Sequence, residues 1–412
     1  MLPDPGGIRR RGRIATFLDT PVATLLLVLG TVLVAFLYPK FGGAQSSKGN
    51  DSGGFAMTDL VLGAMVVASY LHVLRGDWLA RDVWREITVP IVLILVGSLI
   101  GSLYSGLRSF TVSTFIRDIA AILTFLAAVD ILRRGGERAV RLCYGALGIA
   151  IVLGALQLAT SSGNELRASG TFPNPNVAAN LLALGIICWS GSPFRITTKL
   201  SVMAVAALGV LSAGSFGSMI QLGIGFAYLG VTHLDQAKNL VKGRRLIGLV
   251  PIGLVLVLGL FVLTNQTSAP VSGKGQPQTG LNSARFNRSG GVRFSLWGEA
   301  IERIPETPWG AGPGSVRALQ LNSQGPDISN EALQYVVERG VIGLFGLLLL
   351  WWVLLRLTPR GTAARALMVA YIFGEIFRET LHYRHLWIFL AIALVAAEQA
   401  QRRSPVPELV LE

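Results

Sequence analysis

Charged residues are scarce in this sequence of 412 residues: they make up 14%, while 51% of the residues are hydrophobic. Soluble domains average about 25% charged residues, so this shortage excludes an ordinary soluble domain and predicts an integral membrane protein. Cysteine is nearly absent, and Cys143 and Cys188 both lie in apolar runs without metal-ligand spacing. We therefore interpret both cysteines as small buried hydrophobic residues.

Acidic residues are outnumbered by basic ones, which gives a formal net charge of +13. A basic chain can bind nucleic acid, anionic lipid or an anionic substrate. Most of the basic residues lie in short loops between apolar segments, where they fix orientation in a membrane, so we expect no nucleic-acid partner. The arginines of residues 9–13 precede an apolar run too long for a signal sequence, and we expect that run to remain as a membrane span.

Long apolar segments dominate the chain, and a transmembrane helix needs about 20 mostly apolar residues. The sequence therefore predicts an all-α polytopic membrane protein with about twelve transmembrane helices. The predicted spans are centred on residues 21–38, 57–74, 87–104, 114–132, 142–160, 177–190, 200–213, 215–232, 246–264, 338–356, 363–378 and 385–399.

The distribution of lysine and arginine predicts the orientation of these spans. With both termini in the cytoplasm, most of the basic residues fall on the cytoplasmic side. The chain then divides into residues 1–264 with spans one to nine, a large extracytoplasmic loop at 265–337, and residues 338–412 with spans ten to twelve and a cytoplasmic tail. Because a loop of this length is usually functional or disordered, and because this loop contains apolar and aromatic residues, we interpret it as a folded cap over an active site.

A shorter outer loop precedes span six, and its segment 167–176 reads RASGTFPNPN. Proline and asparagine favour turns and helix caps, and we expect Asn176 to cap span six, with Asn174 in the preceding turn. A helix start points backbone N–H groups outward and favours anions. Arg167 is close enough in sequence to share such an anion site.

The large loop contains three further motifs. In the segment 291–300, which reads GVRFSLWGEA, the apolar positions 294, 297, 301 and 304 predict an amphipathic helix that starts at Arg293 with Trp297 facing inward. The segment 308–314 reads PWGAGPG, and its glycines favour either a tight turn or contact with a ligand. The segment 330–340 reads NEALQYVVERG, in which Asn330, Gln334 and Glu338 form one polar helical stripe.

The order and predicted sidedness of these four segments resemble the O-antigen ligase and O-antigen polymerase family of bacterial polysaccharide membrane enzymes. The resemblance covers about residues 160–345. It implies a GT-C-like, all-helical glycosyltransferase of the bacterial inner membrane, involved in polysaccharide or lipopolysaccharide biosynthesis. It also implies an undecaprenyl-diphosphate-linked glycan donor, a glycan or lipid-glycan acceptor, and no cofactor or essential metal.

The resemblance implies a set of substrate-binding residues. Arginines among them suit a lipid diphosphate, because a guanidinium group binds phosphate oxygens through two parallel hydrogen bonds. Arg167 and Arg293 are the first choices for a clamp on the lipid diphosphate, whose negative charge grows as it leaves. The other expected substrate-binding residues are Arg288, Asn174, Asn176 and Asn330.

One position departs from the family pattern. The ligase branch typically has a histidine before the equivalent of Asn330, whereas this chain has Ser329, and serine is not a general base near neutral pH. Asp327, Glu331 and Glu338 are the carboxylates that remain as candidate catalytic bases. His382 and His385 are an alternative, because they lie in the short outer loop between spans eleven and twelve.

The serine favours a polymerase over a ligase that transfers the glycan to lipid A-core or another surface acceptor. A rival of another class is a transporter or flippase for an anionic solute, whose arginines would lie at mid-span depth. The arginines of this sequence cluster at loops instead. A non-catalytic assembly partner is a third interpretation, suggested only by the missing histidine.

Overall fold

The computed structural model describes residues 21–34, 40–41, 55–104, 108–161, 175–237, 294–316, 330–376, 381 and 383–403. Within these ranges the chain is almost entirely helical. The exception is a two-residue antiparallel pair of strands, β1 (Lys40–Phe41) and β2 (Phe55–Ala56).

Eleven helices are described. They are α1 (Ala23–Leu33), α2 (Met57–Leu74), α3 (Arg81–Tyr104), α4 (Arg108–Ser161), α5 (Pro175–Ser190), α6 (Ile196–Ala213), α7 (Phe216–Ala237), α8 (294–303), α9 (Glu331–Leu357), α10 (Ala363–Gly374) and α11 (Arg384–Arg403). Two of them are interrupted by a glycine with a positive φ: α4 at Gly136 and α9 at Gly340.

Apart from α8, the described helices coincide with the predicted apolar segments. Predicted spans four and five are the two halves of α4, which meet at Gly136 (φ 59°) without an extended loop between them. Predicted span nine, 246–264, lies outside the described residues. By length and composition, four described stretches could cross a membrane: Arg81–Tyr104, Thr114–Thr160, Ile196–Ala213 and Glu331–Leu357. The chain is therefore a helical membrane protein.

Helix α5 lies at the centre of the bundle. Every residue from Val177 to Trp189 is buried, which is the pattern of a helix that is apolar on all sides. It contacts α4, α6, α7, α10 and α11, while α11 packs along α4. Cys143 and Cys188 are free thiols with fully buried side chains, which confirms their interpretation as small core residues.

Helices α3 and α9 form the most extensive helix pair of the described chain. Glycines allow this contact: a Cβ at Gly97 would lie 2.6 Å from the carbonyl oxygen of Arg339 and from the amide nitrogen of Gly343. One turn further along α3, a Cβ at Gly101 would lie 2.6 Å from the carbonyl oxygen of Glu338. Small residues permit this close backbone approach between membrane helices, and here they hold α3 against the interrupted part of α9.

The end of the bundle near Gly136 is held by buried charge pairs. Asp130 is fully buried, and its carboxylate lies 2.6 Å from Nδ1 of His72, accepts a hydrogen bond from the Leu79 amide at 2.8 Å, and pairs with Arg134 at 3.3 Å. These contacts join α2, the connection to α3, and α4.

Candidate functional site

Buried polar side chains gather at the opposite end of the bundle, where α9 begins. The start of α9 lies against the end of α10, because the Glu331 amide donates a hydrogen bond to the Glu375 carbonyl at 3.0 Å. Both carboxylate side chains are buried, as is Tyr371, whose hydroxyl donates to Oε2 of Glu331 at 3.3 Å. Buried polar groups in a protein core require such partners, so this layer fixes the position of the first turn of α9.

The predicted polar stripe at the start of α9 is present. Asn330 is the N-cap, and its side chain accepts a hydrogen bond from the Leu333 amide at 3.0 Å, as asparagine commonly does in this position. Gln334 Nε2 donates to Oε1 of Glu338 at 3.3 Å, one helical turn further on. Glu338 is therefore buried beside an amide donor of its own helix.

Gly340 interrupts α9 with φ 65° and ψ −171°. In an unbroken helix the Val341 amide would bond to the Val337 carbonyl. Here the segment 308–314 supplies both partners: the Pro308 carbonyl accepts from the Val341 amide at 3.1 Å, and the Ala311 amide donates to the Val337 carbonyl at 2.8 Å. The segment thus ties itself to α9 by satisfying the backbone groups that the interruption exposes.

The glycines of this segment serve that backbone contact. Gly310, Gly312 and Gly314 have φ values of 93°, 91° and 80°, a region that is accessible mainly to glycine. A Cβ on Gly310 would lie 2.5 Å from the Glu338 carbonyl oxygen, and the Gly312 amide donates to that same carbonyl at 2.8 Å. The tight turn that the sequence offered as one interpretation is present, with the Gly310 amide donating to the Thr307 carbonyl at 2.9 Å, and contact of these glycines with a ligand stays a prediction.

The short helix α8 is present where an amphipathic helix was predicted, but its buried face differs from the prediction. Trp297 and Ile304 pack inward against a small core that includes Ala300. Phe294 and Ile301 are instead 68% and 55% exposed. The predicted buried face was therefore correct for Trp297 and Ile304 and wrong for Phe294 and Ile301. Ala300 occupies the centre of the buried side instead, and it is too small to stand out in the hydrophobic pattern.

A buried chain of three side chains continues this polar layer into the bundle. His385 Nε2 lies 2.8 Å from Oδ1 of Asn180, and Asn180 Nδ2 donates to Oε1 of Gln221 at 2.9 Å. The Gln221 side chain packs directly on Gly374, where a Cβ would overlap it, next to Glu375. The first turn of α11 thus places His385 in the same polar layer as Glu331, joined to it through α5, α7 and α10.

The sequence reasoning missed one ion pair of this region. Arg339 on α9 is buried, pairs with Asp118 on α4, and lies over the ring of Tyr335 at 4.1 Å. Both charges lie inside predicted spans, at 114–132 and 338–356. Ionisable residues within spans are rare and generally paired or functional, so that position was the signal that could have identified them.

Several of the predicted site residues lie outside the described residues: Arg167, Asn174, Arg288, Arg293 and Asp327. The expected convergence of Arg167 and Arg293 is among these predictions. Asn176 is half-buried in the first turn of α5, which begins at Pro175. The expectation that Asn176 caps this helix is therefore wrong, because Pro175 is already the first helical residue, a position that favours proline, and Asn176 is the second.

A metal site is not formed by the described part of the chain, where no three His, Cys, Asp or Glu side chains are grouped so that they could hold an ion.

Comparison with known proteins identifies one related family. The family model described as O-Antigen ligase matches residues 201–348, a stretch that includes α8, the glycine segment and the polar start of α9. No curated protein matches the chain.

Proposed function

Since residues 201–348 belong to the O-antigen ligase family, we propose that the protein transfers a glycan from undecaprenyl diphosphate to a hydroxyl acceptor outside the cytoplasm. Members of this family are glycosyltransferase-like enzymes that act on lipid-linked glycans, and the chain is a multi-pass protein of the inner membrane. The observation that carries the proposal is the overlap of the matched region with the buried polar layer formed by Glu331, Glu338 and their neighbours.

The proposed topology has about twelve spans, both termini in the cytoplasm, and the loop 265–337 outside. The polar layer then lies at the outer surface, where a lipid-linked donor presents its glycan. The positions of the layer's residues in their helices support this orientation. The residues lie near the starts of α4, α5, α7, α9 and α11 and near the end of α10. Those are the helix ends that this orientation places outside.

The proposed reaction breaks the bond between the anomeric carbon of the donor glycan and its phosphate oxygen. The acceptor hydroxyl oxygen bonds to that carbon, its proton passes to a base, and lipid diphosphate leaves. Arg167 and Arg293 are proposed to bind the diphosphate, with Arg288, Asn174, Asn176 and Asn330 as further substrate contacts. The step uses neither a nucleotide sugar nor a metal ion.

The base is proposed to be one of Asp327, Glu331 and Glu338. The contacts of the two described carboxylates distinguish their expected effects. Glu331 joins α9 to α10 through Tyr371, so its substitution should lower stability as well as turnover. Glu338 is bonded within its own helix to Gln334, so its substitution should leave α9 attached to α10.

A polymerase is the preferred form of the activity because Ser329 replaces the histidine of the ligase branch. A ligase acting on lipid A-core or another acceptor is the alternative. Purified protein incubated with a lipid-diphosphate oligosaccharide distinguishes them by product size on a gel. A ladder of products identifies a polymerase, and a single shifted band that requires an added acceptor identifies a ligase.

Three groups of variants test the residues in the same assay. Arg167→Ala and Arg293→Ala should lower turnover at least about a hundredfold if both bind the leaving diphosphate. Among Asp327→Asn, Glu331→Gln and Glu338→Gln, the base should lose about 10²–10⁴-fold and its pH profile should change shape. Arg141→Gln, which is largely exposed and lies just after the interruption of α4 at Gly136, is the control. Unchanged turnover in both arginine variants would refute the diphosphate clamp.

A further inference from the structure

Helix α8 has two apolar sides next to each other. At about 3.6 residues per turn, one side carries Trp297 and Ile304, which pack against α9 in the small core described above. The adjacent side carries Phe294 and Ile301, whose side chains are 68% and 55% exposed. Exposed apolar residues are common on protein surfaces, so what covers this side depends on where it lies relative to the membrane.

The remaining side of α8 is polar. Its exposed residues are Ser295, Glu299, Glu302 and Arg303. A helix with one apolar and one charged face commonly lies in the plane of a membrane interface. Because Glu299 and Glu302 are acidic, burial of apolar side chains, and not attraction to anionic headgroups, would hold this helix at a membrane.

The depth of α8 follows from the part of α9 that it contacts. The small core joins α8 to Val337 and Leu344 of α9, and the interruption at Gly340 lies between those two residues. The helix continues from Gly340 to Leu357, a rise of about 25 Å at 1.5 Å per residue, compared with about 30 Å for the hydrocarbon core of a bilayer. Because the exposed, charged Arg356 marks the far boundary of that core, the near boundary lies close to Gly340, and α8 lies beside it.

The helices next to α8 expose apolar side chains at this level. Leu103 at the end of α3 is 77% exposed, and Phe345 on α9 is 60% exposed. The end of α3 lies at the level of the interruption, since a Cβ on Gly101 would lie 2.6 Å from the Glu338 carbonyl oxygen. Exposed apolar side chains on a membrane span face lipid, so the lipid-facing surface of the bundle extends as far as α8.

Trp309 lies at the same boundary. Its backbone contacts α9, since a Cβ on Gly340 would lie 2.6 Å from the Trp309 carbonyl oxygen, and its side chain is 50% exposed. Tryptophan is enriched at membrane–water interfaces, where its ring lies at the level of the headgroups. The exposed side of α8 is therefore continuous with a lipid-facing surface and is followed in the chain by a residue suited to the interface.

We propose that Phe294, Ile301 and Trp309 anchor α8 in the lipid interface at the start of α9. The partner is the bilayer: the boundary of its acyl chains covers the exposed apolar side of α8, and water covers Glu299 and Glu302. The proposed topology makes this the outer leaflet, whereas the contact with lipid does not depend on glycan transfer. In this position α8 holds the segment 308–314 at the membrane surface, beside the polar start of α9.

Spin labels measure the depth of α8 directly. The two native cysteines, both buried, are replaced by alanine, and the protein in phosphatidylcholine nanodiscs is labelled at single cysteines from Phe294→Cys, Ile301→Cys, Glu302→Cys or Phe345→Cys. Collisions with oxygen, which concentrates in lipid, and with a water-soluble nickel chelate give the depth of each label. The labels that replace Phe294 and Ile301 should lie about 5–10 Å below the level of the phosphates, as in other interfacial helices. The label at Glu302 should remain in water, and the label at Phe345, the reference for a lipid-facing site, should lie in lipid.

Each other result refutes the anchor. If the labels at Phe294 and Ile301 collide freely with the nickel chelate, α8 stands in water above the membrane. If they collide with neither reagent, protein covers this side of α8. Broadening of the spectrum by labels of neighbouring molecules would then identify the cover as a second copy of the chain.

Removing one anchor tests the contribution of the others. With the label at Ile301, Phe294→Ser and Trp309→Ser should each bring the label closer to water, whereas the control Glu299→Gln should not. An unchanged depth in both serine variants would show that contact with α9 alone sets the position of α8, and would refute the anchoring role. None of these measurements involves turnover, so their outcome is independent of the assay of glycan transfer.

Discussion

Gly310→Ala probes the contact between the glycine segment and the interrupted helix α9. Gly310 has φ 93°, and an alanine there would place Cβ 2.5 Å from the Glu338 carbonyl oxygen and 2.6 Å from the Gly340 amide nitrogen. Both are backbone atoms, which cannot rotate away. The substitution therefore combines conformational strain with steric overlap, and the segment 308–314 should separate from α9.

The size of the effect follows from the contacts that are lost. The unfavourable backbone conformation costs about 1–3 kcal/mol. Three backbone hydrogen bonds, at 2.8, 2.8 and 3.1 Å, join this segment to α9, and each contributes a net of about 0.5–1.5 kcal/mol. We expect a total destabilisation of roughly 2.5–7.5 kcal/mol together with lower glycan transfer, because Glu338 lies at the same contact.

Two matched glycine variants separate strain from overlap. Gly361→Ala has a similar φ of 72° but no atom within 4 Å of its Cβ, so it should cost only the strain. Gly298→Ala, inside α8 and equally open, should be neutral or stabilising by up to about 1 kcal/mol. Thermal unfolding in detergent, followed by the exposure of Cys143 and Cys188, should rank the variants in that order. Equal midpoints for Gly310→Ala and Gly298→Ala would refute the reasoning.

Three other substitutions test separate parts of the structure. Gly97→Ala should destabilise the fold by about 1–3 kcal/mol, because its Cβ would overlap the α9 backbone. The control Gly63→Ala, whose Cβ meets nothing within 4 Å, should leave the stability unchanged. Equal unfolding midpoints for the two variants would contradict the close packing of α3 and α9. Asp130→Asn should lower the midpoint strongly, because it removes the buried negative charge that His72, the Leu79 amide and Arg134 contact together. Asp82→Asn, at a largely exposed carboxylate, should change the stability by no more than about 1 kcal/mol. Asn330→Ala should lower the stability by about 1 kcal/mol through loss of the helix cap, whereas Asn330→Asp should keep the cap. If glycan transfer fails in both variants, Asn330 contacts the substrate in addition to capping α9.

Hydropathy alone located the helices because a span of apolar residues leaves the backbone no stable alternative to a helix in lipid. The sequence also identified the polar stripe at the start of α9, since Asn330, Gln334 and Glu338 at helical spacing are a local signal, whereas the role of Asn330 as the N-cap came from the structure. It could not distinguish a turn from a ligand contact at Gly310, because both uses of glycine give the same local pattern. It likewise assigned Phe294 and Ile301 to the buried face of α8, since one-dimensional periodicity does not show which neighbour a helix meets.

The residues that only the tertiary structure brought together are far apart in the chain. Asp118 and Arg339 pair across 221 residues, and His385 and Asn180 across 205. A single sequence contains the charge of each member but no measure of the distance between them. What the sequence determined by itself is therefore the membrane class, the helices and the local motifs, which depend on neighbours within a few turns. The tertiary fold decided the partner of each buried polar group, because the packing of the helices determines which charged side chains are buried next to each other.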